Sequence, residues 1–104
     1  MNLPRIHHIA VICSDYERSK AFYVDVLCFR VIREVYRRER QSYKLDLAVG
    51  EHCQIELFSF PSPPPRVSRP EAAGLRHLAF KVDDLDDTVA PLRRRVTSRP
   101  SAMP

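Results

Sequence analysis

The sequence predicts an α+β fold, a βαβββ module followed by an incomplete second one. Three observations carry this. A short apolar run rich in β-branched residues, "IHHIAVIC" (6–13), leads into an amphipathic stretch; three further strand-like runs lie between Phe29 and Phe60; and strand, acidic cap and helix return after a proline-rich interruption.

The first run ends at Ser14-Asp15, residue types that cap helix N-termini by accepting hydrogen bonds from free backbone N–H groups. From Asp15 to Leu27, Ala21, Phe22, Val24, Val26 and Leu27 supply an apolar side, and Glu17, Arg18, Lys20 and Asp25 the solvent side of a helix. "FRVIREVYRRE" then alternates, and "YKLDLAVG" and "CQIELFSF" follow as strands joined at a Gly50-Glu51 turn. "PSPPPRVSRPEAAG" interrupts with five of the chain's nine prolines in ten residues, which excludes helix and central strand. "LRHLAFKV" after Gly74 reads as strand again. "DDLDDTVAPLRRR" reads as a second helix, with Asp83 or Asp84 at its cap, acids in its first turn and arginines in its last. The expected organisation is a first module over 1–60, a linker over 61–74, the start of a second module over 75–95, and an atypical tail over 96–104, expected to be disordered.

An internal repeat ties the halves together. "HIAVICSDY" from His8 aligns with "HLAFKVDDL" from His77, matching histidine, alanine and aspartate at an offset of 69 residues. The match selects His8 over His7.

Composition narrows the function classes. With 104 residues the chain is one domain, short enough to bury only about 60–65% of its unfolded surface, so dimerisation would help it. No apolar run approaches the roughly 18–20 residues of a membrane span and no signal peptide is evident, so no membrane partner and a cytoplasmic location are expected. Cys13, Cys28 and Cys53 are odd in number and lack CxxC spacing; they read as small buried hydrophobes. The net charge of +4 is supplied by Arg93, Arg94, Arg95 and Arg99, and a basic tail without interleaved aromatics argues against a nucleic-acid partner. Glycine occurs only at Gly50 and Gly74, which excludes phosphate-cradling GxGxxG and GxxxxGK loops and the GxSxG nucleophile turn. "PSPPPR" also fits a polyproline ligand for an SH3-like partner, but a loop bridging two modules explains the same residues.

Strand alternation places His8 on the face of Ile6, Ala10 and Ile12, His77 on that of Leu75 and Ala79, and Glu56 on that of Gln54, Phe58 and Phe60. A carboxylate mid-strand needs a cation nearby to offset its desolvation. A metal ion bound by His8, Glu56 and His77 satisfies all three, and two imidazoles with a carboxylate suit Fe(II), Zn, Ni or Mn. Each residue alone also fits a structural role: a satisfied strand histidine, or a glutamate paired with an arginine. His7 and His52 have no repeat partner and read as exposed or supporting residues.

"HHIAVICSDYERSKAFYVDVL", "IELFSF" and "GLRHLAFKVDDLD" together resemble the vicinal oxygen chelate superfamily, and within it the small bacterial glyoxalase I-like (lactoylglutathione lyase-related) proteins, over residues 5–92. The resemblance implies the glyoxalase/bleomycin resistance/dioxygenase-like fold, in which paired βαβββ modules surround a divalent metal. By motif it assigns His8, Glu56 and His77 as metal ligands, and Glu56 also as the catalytic carboxylate. The implied reaction isomerises a hemithioacetal of a 2-oxoaldehyde and a thiol such as glutathione. The metal polarises the substrate oxygens while a carboxylate moves the proton. The implied partners are this small-molecule substrate and a second copy of the chain.

The repeat offset carries Glu56 to position 125, whereas the sequence stops at Pro104. The fourth ligand of the family pattern is therefore absent, activity is expected to be low or nil, and a truncated or frameshifted chain with a non-family last dozen residues is implied. An exposed sheet edge is expected as well. Arg37, Arg38, Arg40 and Lys44 near the second hairpin could meet thiol-cofactor carboxylates or form a solvated turn. Two alternatives remain within the superfamily: a metal-dependent dioxygenase or transferase using the same three residues, and a non-catalytic small-molecule binder like the bleomycin-binding branch.

Overall fold

The computed structural model describes residues 1–98. Strand β1 (His8–Ile12) is followed by helix α1 (Tyr16–Ala21), which continues as a π-helical turn over Phe22–Val26. Strands β2 (Arg30–Arg37), β3 (Ser42–Val49) and β4 (Cys53–Phe58) come next, and helix α2 (Leu85–Ser98) ends the described chain. The sheet order is β1-β4-β3-β2; β1 runs parallel to β4, and the other pairs are antiparallel. This is the expected βαβββ module.

Local chemistry accounts for the boundaries. The Asp15 carboxylate accepts from the Arg18 N–H at 3.2 Å and caps α1. Gly50 supplies the positive φ of +62° that the β3–β4 turn requires. Asp84 caps α2, its carboxylate accepting from the Asp87 N–H at 3.0 Å.

Alternation sorts the sheet into two faces. One face buries Leu45, Leu47, Ile55 and Leu57, each at most 1% exposed, together with Cys13. Tyr16, Tyr23, Val24, Phe29 and Leu78 pack against them. Fully burying an aliphatic side chain contributes about 1.5–3 kcal/mol, so this cluster is the main source of stability. A polar clasp pins α1 to the hairpin: Lys20 Nζ lies 2.8 Å from Glu34 Oε2, the Tyr16 hydroxyl donates to the same oxygen, and Tyr16 stacks on Tyr43 with centroids 4.7 Å apart. Hydrogen bonds from Lys20 and Tyr16 hold the Glu34 carboxyl below its ordinary range, and burial pushes the Tyr16 phenol up. The other sheet face carries His8, Gln54, Glu56, Phe58, Lys44 and Asp46, and exposed Ile12.

Several expectations need correction. Residues 75–82 are irregular rather than a strand. Strand β1 is held extended by its ladder with β4, whereas 75–82 has no such partner among the described residues; instead Leu78 packs on the core and Phe80 meets Phe29 edge-on at 5.6 Å. Residues 96–98 are the end of α2, not disordered tail; the disorder expected over 99–104 lies outside the described residues. Val89, Leu92 and Val96 recur at helical spacing along α2, and Arg95 Nη1 donates to the Val26 carbonyl at 2.8 Å. Cys13 is buried as expected, but Cys53 is only half-buried and Cys28 is exposed, at φ +60° after the π-helical turn.

Candidate functional site

His8 and Glu56 are brought together by the parallel β1–β4 pairing. Glu56 lies opposite Ala10 and His8 opposite Gln54, so the two project from one face one two-residue step apart. His8 Nε2 stands 3.7 Å from Glu56 Oε1, with side-chain exposures of 44% and 18%. The other ring nitrogen, Nδ1, meets His7 Nδ1 at 3.0 Å. One imidazole donates in that contact; if it is His8, its Nε2 is left with a free lone pair toward Glu56. His7 is thus an orienting neighbour of His8.

Strand β3 completes the row. Asp46 is directly opposite Glu56, and Lys44 Nζ lies 2.8 Å from Asp46 Oδ1 and 3.6 Å from Glu56 Oε2. The Asp46 hydrogen bond, reinforced by Glu56, raises the Lys44 ammonium above its ordinary range, so it stays charged near neutrality. Glu56 therefore sits between an imidazole and an ammonium, the cation it requires being a lysine rather than an arginine. The part played by Lys44 and Asp46 was not read from the sequence, although the alternation of "YKLDLAV" opposes both to the buried Leu45 and Leu47.

His77 is not part of this group. It is exposed on the irregular 75–82 segment, and among the described residues no three His, Cys, Asp or Glu side chains converge closely enough to hold a metal ion. The His8–Glu56 pair does fit two corners of a metal centre. Bonds of about 2.0–2.2 Å at tetrahedral or wider angles place donors roughly 3.3–3.7 Å apart.

Farther along this face, Phe58 and Phe60 stack with centroids 6.2 Å apart, and the guanidinium carbons of Arg37 and Arg40 lie 5.1 and 5.2 Å from their ring centroids. Cation–π contact thus engages two of the arginines that read from sequence as a solvated turn or a carboxylate site. His52 faces solvent and pairs with Glu51 at 3.7 Å.

The four-stranded sheet and its helices belong to a defined class. Residues 5–98 fit the family model of the Glyoxalase/Bleomycin resistance protein/Dioxygenase superfamily, and the chain belongs to it. The match extends through the arginine-rich stretch after residue 92, which the sequence comparison had left outside the family. The chain is 64% identical over 95 residues to the uncharacterized protein YwkD of Bacillus subtilis, covering 91% of this chain and 74% of that one. Among solved structures it is similar to a glyoxalase family protein from Enterococcus faecalis, at 44% identity and TM-score 0.83, covering 91% of this chain and 75% of that one. It is also similar to the trypanothione-dependent glyoxalase I of Leishmania major, at 25% identity and TM-score 0.67, covering 88% and 66%. Among the described residues no helix is long and apolar enough to cross a membrane.

Proposed function

We propose that this chain is a glyoxalase I-like isomerase/lyase in which His8 and Glu56 are ligands of a divalent metal, nickel, zinc, manganese or iron, and His77, which stands apart from the pair in this structure, joins them as the third when the metal binds. The observation that carries the proposal is the 3.7 Å approach of His8 Nε2 to Glu56 Oε1 on adjacent strands of one face. The similarity to the Leishmania major glyoxalase I supports the choice of reaction. The metal, when bound, supplies a Lewis acid that polarises the substrate's oxygens.

The remaining work falls to the chain. Glu56 takes the proton from the thiol-bearing carbon of the hemithioacetal and returns it to the neighbouring carbon, while the hydroxyl proton passes from the first carbon's oxygen to the second's, so the hydroxyacyl thioester forms with no net change in atoms. His7 holds the His8 ring through the 3.0 Å Nδ1 contact. Lys44, 3.6 Å from the second oxygen of Glu56, tethers that carboxylate in place. A second copy of the chain covers the face that leaves Ile12 59% exposed, which makes the active form a homodimer.

The test is thioester formation from glutathione and a 2-oxoaldehyde, with nickel or zinc added. Glu56→Gln is expected to remove metal-dependent turnover, whereas turnover equal to wild type would contradict the assignment. A second reading, a non-catalytic small-molecule binder, is favoured by two observations: Glu56 is already partnered by Lys44, and His77 stands apart. Ligand binding without turnover at any metal concentration would select it.

A further inference from the structure

We propose that the cavity beside the His8–Glu56 pair is an oxyanion site that holds the carboxylate or phosphate arm of this protein's small-molecule substrate. The cavity measures about 480 Å³, within the range of small-ligand pockets, and Arg5, His7, Arg30, Glu51, His52 and Gln54 line it. Its position follows from the register. Arg30 pairs with Ala48, Ala48 with Gln54, and Gln54 with His8, so the cavity lies along the cross-strand row that contains His8. His7 joins the two places, lining the cavity while its ring nitrogen meets that of His8 at 3.0 Å.

The charge of the lining selects the ligand. Arg5 and Arg30 carry permanent charge in a donor geometry that matches carboxylate and phosphate oxygens. Among the described residues neither guanidinium is engaged in an ion pair. The carboxylate in the lining, Glu51, turns to His52 and is 90% exposed, so it does not neutralise them. With strands about 4.8 Å apart and about 6.7 Å per two-residue step, the Arg30 and Glu56 backbones are roughly 12 Å apart. Long arginine side chains shorten that span to the reach of a small thiol adduct. That the arm belongs to a molecule reacting at Glu56 rests on the function proposed above; the oxyanion site itself rests on the cavity and its arginines.

The experiment is a two-dimensional NMR titration of the metal-free chain with inorganic phosphate and, separately, succinate, at ionic strength held constant with chloride. Saturable shifts of the amides around Arg30 and Gly50–Gln54 are expected, and the tighter of the two anions identifies the arm. Arg5→Gln with Arg30→Gln should weaken binding at least about tenfold, the loss typical of a charge-assisted hydrogen bond. Both arginines sit on the surface, and an unchanged amide spectrum elsewhere confirms an intact fold. Shifts that rise linearly without saturating, or a double variant that binds like wild type, would overturn the site. Glu56→Gln should leave phosphate binding intact while losing metal, so the two readings fail separately.

Discussion

Lysine 44 is the cation with which a metal must share the charge of Glu56, and replacing it gives a sharp expectation. Its ammonium lies 3.6 Å from Glu56 Oε2 and 2.8 Å from Asp46 Oδ1, with side-chain exposures of 30% for Lys44 and 18% for Glu56. A bare Coulomb estimate at an effective dielectric near 20 gives more than 4 kcal/mol for such a distance, but solvent screening and side-chain entropy reduce partly exposed pairs to about 1 kcal/mol. Lys44→Gln removes that competition and leaves Asp46 as a second negative charge opposite Glu56. Affinity for nickel or zinc should rise about fivefold, since 1.4 kcal/mol is a factor of ten. Competition titration against a chromophoric chelator measures it, and the gain should shrink as salt is added. Unchanged or weaker binding by Lys44→Gln would refute the claim that Lys44 and the metal compete for one carboxylate.

Two further outcomes test the scaffold. Leu57→Ala removes a fully buried side chain from the centre of the core and should cost about 2–5 kcal/mol, read as a lower urea midpoint. Glu34→Gln breaks the clasp to Lys20 and should cost about 0.5–1 kcal/mol at pH 7, because both partners are about a third exposed. The folded Glu34 carboxyl titrates below the free one, so the clasp's contribution is full above about pH 4.3 and disappears as pH falls through the lower folded value. Urea unfolding of the two proteins should therefore converge in strong acid, and a constant difference across that window would show that Glu34 is not the group responsible.

The first module was legible because its signals are local. Alternation, the Asp15 cap and the Gly50 turn each act within a few residues, and the structure places β1 to β4 where those signals put them. Residues 75–82 carry the same alternation without forming a strand, because an extended backbone survives only when another strand satisfies its N–H and C=O groups. The end of α2 was misread for a related reason: Val96 gains meaning only as the next step of the Val89–Leu92 stripe, and Arg95 only through the distant Val26 carbonyl. In the site, the His8–Glu56 approach was foreshadowed by the repeat and by strand alternation. Lys44 and Asp46 required the β3–β4 register, since nothing in "YKLD" says which carboxylate its lysine will meet. His77 depends on the fate of 75–82, and the repeat carries no information about that segment's partner.

The central claim is that His8 and Glu56 are ligands of one divalent ion, and equilibrium titration of the purified chain with nickel and zinc tests it most directly. The account predicts one saturable ion per chain, lost in His8→Ala and in Glu56→Gln and weakened in His77→Ala. A folded chain that binds neither metal, or binds them equally well without Glu56, would contradict it.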